Sequence, residues 1–585
     1  MIEIFINSNV LIFAIFSTGF LFNKYLLNFK TNNSYSEISL IGVIILSIIS
    51  FLLHFFVPLN ILVSNFIFIF PLALILKEKF FSKDILKIIK FCLILSVLIV
   101  LYLSYSNFYR PDAGWYHIPF SRLISDYKII IGTASLHPMF GTTSVIQYLS
   151  SAFHNSLTGA NGVLFANPII LIIFLAFFFE NFLKGKQPIL KFFSLIVLFT
   201  IFIEMNRNSE LGNDALGYLY YFYLFYIFLR SIIENKYKEN RFKFLSFISV
   251  FCFLIKSVYV FAFIFPFYFF IQEKLYKNIN NYFNVASLIL IAWLLRNIIL
   301  TGCLIYPMNI TCSENLSWYS SNSKFEISAK NTSQFSELHS KGWPDFEDSK
   351  QYYLNYEDQI DKKKLFLKRF NWLEDYLNQG RIYNITKKIN FLLPVIIVFL
   401  LINYCFSKKS RRFFNKKRSL LKKINYKFLF FTSTTFTFII LFKLPDARYF
   451  FSYLIVSIFL IIIYFFNTEN IFSKKKKLKN LSNIFLIILF SIFVIKNTFK
   501  IINKSENQTV FPSLHYKDRS YEFVTKRISS GNIFKIYYTD DKYSKFASKK
   551  LCVYHNSPCI QNKSITNQFE VKQINGYLVL KLNKN

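Results

Sequence analysis

The sequence predicts an all-α polytopic membrane protein with a small α/β appendage at its C-terminus. Three observations predict it. The 585 residues are 54% apolar and only 17% charged, where a soluble domain carries about a quarter charged residues. Mean hydropathy is +0.37. Apolar runs of near-spanning length recur along the chain, and short blocks of Lys and Arg separate them. This composition excludes an ordinary soluble enzyme, a disordered chain and a small disulfide scaffold. A net charge of +36 would point to nucleic acid only if it formed a folded basic surface. Here it sits between apolar runs, as in cytoplasmic loops.

Residues 1–86 hold three N-terminal runs, at 8–28, 38–57 and 60–76. The first has no small-residue cleavage pattern and reads as a membrane helix, not a signal peptide. Residues 87–302 form the membrane core, with runs at 87–106, 160–181, 188–204, 214–232 and 281–300 and an external loop at 107–159. Lys256 interrupts a further run at 243–272. That run reads as a hairpin of two short helices with Lys256 near the turn. Residues 303–387 are a polar loop region with a short helix around 362–378. Residues 388–498 return to the membrane at 388–405, 426–443, 449–466 and 481–498. Counted this way there are about 12–14 membrane helices, most near the ~20 residues that cross the hydrocarbon. In 499–585, residues 534–538 read as a strand and 570–582 as a hairpin turning at Asn575-Gly576, the residue pair a tight hairpin turn prefers.

Orientation follows from the basic blocks. Lys408 to Lys423 and Lys474 to Lys479 are expected in the cytoplasm. Working outward, 77–87, 183–187, 233–242 and 273–280 also fall inside. Segments 107–159, 205–213, 301–387, 444–448 and 499–585 then fall outside. Cys92, Cys252 and Cys405 lie in apolar runs and read as small buried hydrophobes. Cys303 with Cys312, and Cys552 with Cys559, flank short polar stretches. They are disulfide candidates if that side is oxidising.

The chemistry gathers on the outer side. YRPDAGWYH (109–117) places Asp112 just beyond a helix end. A carboxylate there is a general base within reach of a lipid-borne substrate, a metal ligand, or a helix cap in a Pro turn. Asp214 opens the next outer helix, where it or Asn213 could serve as a cap, and Glu210 precedes it in the loop. Lys256, ionisable at membrane depth, is a functional candidate or a snorkelling side chain. Arg296 and Arg448 lie at outer helix boundaries and suit phosphate recognition; each could instead pair with a neighbouring carboxylate. His117, His137 and His154 share one stretch with Asp112 and Asp126, but their spacing matches no compact metal motif. No metal ligand is assigned, and a divalent metal is the one candidate cofactor.

These residues resemble motifs of the GT-C superfamily of polytopic glycosyltransferases, in particular its protein O-mannosyltransferase and aminoarabinose-transferase-like branch. RPDAGWYH (110–117) with LHPMFG (136–141) resembles the acidic first loop, and NDALGYLYY (213–221) the second acidic helix start. FLIKSV (253–258) resembles the Lys-containing turn, RNIILTGCLIYP (296–307) the Arg-Asn stretch, and PDARYF (445–450) the late Arg-Tyr segment. The chain is also similar to a functionally uncharacterised group of bacterial multi-pass proteins that share an Asp-x-x-x-Tyr-His loop and a Cys…Pro-Cys tail. Many GT-C enzymes carry two adjacent acids in the first loop; here Ala113 follows Asp112.

The resemblance implies an inverting glycosyltransferase of the bacterial inner membrane, with its large loops and C-terminus in the periplasm. It would move a sugar from a polyprenyl-phosphate donor to a glycan, lipid or protein acceptor in the cell envelope. Asp112 would be the base. Lys256, Arg296 and Arg448 would hold the phosphate, with Asp214, His117 and His137 as further substrate-binding residues. The aromatic helix Tyr218 to Tyr226 is either a lipid groove or packing. The rival readings are a lipid-linked glycan transporter or flippase, a polysaccharide polymerase, and a non-catalytic assembly protein.

Overall fold

The computed structural model describes residues 2–27, 34–103, 112–208, 212–234, 238–277, 284–343 save 323 and 326, 360–381, 426–465, scattered positions between 490 and 502, 521–528, 532–539, 552, 557–560 and 563–584. The expected runs at 388–405 and most of 481–498, both basic blocks, Glu210 and Cys405 lie outside the described residues.

The described chain is mostly helical. Among the described residues six helices are long and apolar enough to cross a membrane, within Ile2–Tyr25, Tyr35–His54, Asp84–Leu103, Gly159–Lys184, Asp214–Glu234 and Ala447–Tyr464. Shorter apolar helices lie at Ile61–Ile75, Pro188–Phe202, Ser257–Gln272 and Val285–Thr301.

Helices α1 (Ile2–Phe22), α2 (Tyr35–His54), α3 (Ile61–Ile75) and α4 (Lys79–Leu103) pack around α1. A Cβ on Gly19 would overlap the Ile38 carbonyl oxygen, and one on Gly42 the Ile15 carbonyl oxygen. Glycine at both positions lets the α1 and α2 backbones touch, as small residues do between membrane helices. Two short helices, α5 (Ile118–Asp126) and α6 (Val145–Ala152), follow in the first loop. The bundle continues through α7 (Ala166–Lys184), α8 (Pro188–Asn208) and α9 (Asp214–Glu234). Helix α9 is buried from Ala215 to Leu229 and is the centre of the bundle. At its far end Arg230 donates to both oxygens of Glu37 in α2, at 3.0 and 2.5 Å. That pair lies sixteen residues beyond Asp214 on the same helix, or about 24 Å at the helical rise.

Helix α10 (Lys238–Ile255) ends at Lys256, and the chain reverses through a 3-10 turn, Ser257–Phe263, into α11 (Ile264–Gln272). Across the reversal Ser249 donates to the Ala262 carbonyl at 3.1 Å, and the Phe253 and Phe263 rings lie 5.9 Å apart. This is the two-helix hairpin that the interrupted run predicts. Next come α12 (Val285–Thr301) and α13 (Ala329–Lys341). The helix expected around 362–378 is present as two, α14 (Ile360–Leu367) and α15 (Leu373–Asn378). Between them Arg369 has a left-handed φ of 52°. Helices α16 (Tyr426–Lys443) and α17 (Ala447–Phe465) form an antiparallel pair, and α17 packs on α9.

From residue 521 onward the described residues form strands and one 3-10 turn. Strand β1 (Tyr521–Arg527) pairs antiparallel with β2 (Ile533–Thr539), and β3 (Cys559–Ile560) pairs parallel with β2. Strands β4 (Phe569–Ile574) and β5 (Tyr577–Leu582) form the expected hairpin. Its turn residues, Asn575 and Gly576, both have positive φ, 50° and 78°, as the tightest hairpin turn requires. The small C-terminal sheet region docks on the helical part. The edge of β5 takes partners from the helical part: Leu580 N–H donates to the Ile131 carbonyl and Leu582 N–H to the Ser317 carbonyl, each at 2.9 Å. An open strand edge presents unpaired donors and acceptors, and here the first loop and the 303–343 region supply them. Cys303 is joined to Cys312 and Cys552 to Cys559. Cys92 and Cys252 are free and buried.

Candidate functional site

One cavity of about 1230 Å³ opens where the first loop, the start of α9, the Lys256 turn, the end of α12 and the start of α17 meet. Asp112, His117, Asp214, Lys256 and Arg448 all line it. Five predicted residues, from four separate parts of the chain, therefore share one cavity.

Asp112 precedes a single π-helical turn, Ala113–His117, and its side chain makes no capping hydrogen bond. The helix-cap reading therefore does not account for it. Its charge is felt by Tyr116 and by Arg448. Burial, with Asp112 and Asp214 nearby, holds the Tyr116 phenol well above its ordinary range, so it is a donor at neutral pH. Asp214 is ion-paired with Lys256 across the cavity wall. The Lys256 ammonium also lies 4.1 Å from the centre of the Tyr449 ring. Arg448 pairs with Asp446 at 3.0 Å, and its guanidinium lies 3.4 Å from His339 Nδ1.

The hydrogen bonds of His117 fix its tautomer. Ser144 N–H donates to Gln147 Oε1 at 2.8 Å, so Gln147 presents its NH2 group to His117 Nδ1, also at 2.8 Å. Nδ1 accepts, and a neutral ring then carries its proton on Nε2. Burial lowers the ring to about 4, with Lys256 adding to the effect and Asp214 opposing it. His117 therefore enters the cavity wall neutral. His137 is not part of the lining. It stacks on Tyr116 at 6.0 Å, accepts the Met139 N–H at Nδ1, and is likewise lowered to about 4 by burial.

Arg296 is also not in the lining. It is fully buried, at 0% exposure. Its guanidinium donates to Tyr148 Oη and Asn297 Oδ1 at 3.0 Å each and to Thr143 Oγ1, and lies 4.4 Å from the Trp293 ring. Thr143, Trp293 and Asn297 line the cavity; Arg296 stands behind them and holds that wall together. Asp126 pairs with Arg122 at 2.8 Å, and neither it nor His154 lines the cavity.

Several lining residues carry no signal in the sequence. His339, Tyr376 and Arg381 come from the polar 303–387 region and line the cavity as well. Arg381 donates to the His339 carbonyl at 2.5 Å, and Tyr376 Oη donates to the Pro445 carbonyl. Burial and the charges of Arg448 and Arg381 lower His339 to about 4.

Among the described residues no group of three or more His, Cys, Asp or Glu is arranged to hold a metal ion. Lys256 engages Asp214, and Gln147 engages His117. These residues do not fit a metal centre, and no step is assigned to one.

The family described as a domain of unknown function, DUF8201, matches residues 1–455. The chain belongs to the DUF8201 family. The matched stretch contains every residue of the cavity and stops before the C-terminal strands. No curated protein and no solved structure matches the chain.

Proposed function

We propose that this DUF8201 protein transfers a sugar from a polyprenyl-phosphate donor to a hydroxyl of a cell-envelope acceptor, within a GT-C-like membrane core of about 12–14 helices. The observation that carries the reading is the cavity itself. It joins a carboxylate without a capping role, Asp112, to the cations Lys256, Arg448 and Arg381 at one end of the apolar helices. The acceptor oxygen attacks the anomeric carbon, the bond from that carbon to the phosphate oxygen breaks, and the polyprenyl phosphate leaves. Asp112 takes the acceptor proton. Lys256 and Arg448 offset the charge gathering on the leaving phosphate. Attack opposite the leaving group inverts the anomeric centre. The two disulfides, Cys303–Cys312 and Cys552–Cys559, favour the oxidising side of the membrane for this face. That is the periplasmic side of a bacterial inner membrane. Arg296, which the resemblance offers as a phosphate ligand, acts in this reading as wall support.

Native mass spectrometry of the purified protein with added polyprenyl phosphate tests the reading. Wild type is expected to retain one lipid phosphate, and Lys256→Gln and Arg448→Gln are expected to lose it. Equal retention in all three would overturn the phosphate assignment.

A further inference from the structure

We propose that the disulfide-closed loop 303–312 is seated in the lipid layer at the cavity end of the bundle, serving at once as a cavity wall and a membrane contact. The proposal rests on the reading that the apolar helices cross a membrane, and adds a lipid-facing surface to it.

Four observations converge on this loop. It contains no charged residue from Cys303 to Cys312. Its tip nevertheless projects large apolar side chains: Ile310 is 89% exposed, Met308 51% and Leu304 43%. Single exposed apolar residues are ordinary on a protein surface; three in one uncharged ten-residue loop form a patch.

The loop also satisfies much of its own backbone. The N–H of Leu304 donates to the Thr311 carbonyl, Met308 to Ile305, Thr311 to Met308 and Cys312 to Asn309, at 2.7–3.1 Å. The Thr311 hydroxyl accepts from Ile305 N–H at 3.1 Å. A loop exposed to water needs no such closure, because water supplies the partners. Near hydrocarbon each unmet amide is costly, so internal bonding is the condition for sitting there.

Finally, the helix that leads into the loop has an outward apolar face of its own. In α12, directly before the loop, Val285, Leu288, Ile291 and Leu295 are exposed. Their spacing keeps them on one side of the helix. Leu304, Met308 and Ile310 follow in the loop that begins just after the end of α12. Behind the tip, Ile305, Tyr306, Pro307 and Met308 line the cavity. The disulfide, together with the bond from Asn297 Nδ2 to the Leu304 carbonyl at 3.0 Å, fixes the loop to α12. The occupant of the patch is therefore the acyl region of the leaflet on the cavity side.

The test uses the full chain in phosphatidylcholine vesicles, with and without lipids brominated on their upper acyl carbons. Ile310→Trp and Leu288→Trp are each compared with wild type, because five native Trp supply a background. Both positions are exposed, so the added indole enters no core. The emission added by Ile310→Trp is expected to be lost in brominated lipid to an extent comparable with that added by Leu288→Trp. Quenching of Leu288→Trp without quenching of Ile310→Trp would place the loop in water or under a partner protein and overturn the proposal. That result would leave the membrane and glycosyl-transfer readings intact. Quenching of neither would overturn the proposal and the membrane placement of α12 together.

Discussion

Acid should destabilise the cavity wall before it protonates ordinary carboxylates. His117 and His137 are both buried and titrate at about 4 in the folded protein, against ~6.5 in an unfolded chain. Between those values the unfolded state binds more protons than the folded one, so stability is full above pH ~6.5 and falls as the pH drops toward 4. At pH ~5 each ring removes about 2 kcal/mol, and the two together about 4 kcal/mol. That is a large share of the ~5–15 kcal/mol that holds a domain folded. The geometry gives the same sign: protonating Nδ1 abolishes the bond from Gln147 to His117 and the bond from Met139 N–H to His137. The measurement is thermal unfolding of the detergent-solubilised protein between about pH 7 and about pH 5, a window above most carboxylate titration. Wild type should lose stability steeply; a His117→Gln, His137→Gln double variant should lose about 4 kcal/mol less by pH ~5, while His339, also lowered to about 4 by burial, keeps its share of the slope in both proteins. Equal slopes in the two proteins would refute the assignment of these rings as buried and neutral.

Three further outcomes follow. Gly42→Val puts side-chain atoms into the α1–α2 backbone contact and should cost about 1–3 kcal/mol by overpacking, read as a lower unfolding midpoint; an unchanged midpoint would mean the helices stand further apart. Arg230→Met leaves Glu37 buried without its bidentate partner and should cost about 3–5 kcal/mol, while adding Glu37→Gln should recover part of the loss. Lys256→Gln removes one member of a partly exposed pair with Asp214, so stability should change by about 1 kcal/mol or less. Lipid-phosphate binding should nonetheless fall, and a collapse of stability with binding intact would make Lys256 a structural residue.

The readable parts of the chain were those where one residue breaks a local rule. Lys256 cannot continue an apolar run, so it marked the reversal after α10. Asn575-Gly576 announced the β4–β5 turn because left-handed backbone favours those two residues. Asp112, Asp214 and Arg448 stood out because each lies at the boundary of an apolar run, and the structure brings all three to one cavity. Arg296 stands at a similar boundary but on the inner face of α12. Apart from its neighbour Asn297, the residues around it are apolar on every side of that helix, so periodicity does not separate its buried face from its exposed one. His339 and Arg381 were invisible for the opposite reason: in a polar loop, polar residues carry no contrast. The docking of β5 on Ile131 and Ser317 depends on contacts between residues hundreds of positions apart, which no local pattern encodes.

The central claim is that Asp112 serves a transfer reaction. It is tested most directly by profiling envelope glycans and lipid-linked sugars in wild-type, deletion and Asp112→Asn cells at matched protein levels. The account predicts that the deletion and Asp112→Asn strains lose the same modification and accumulate the same lipid-linked donor. An Asp112→Asn strain that matches wild type, beside a deletion strain with a defect, would contradict it.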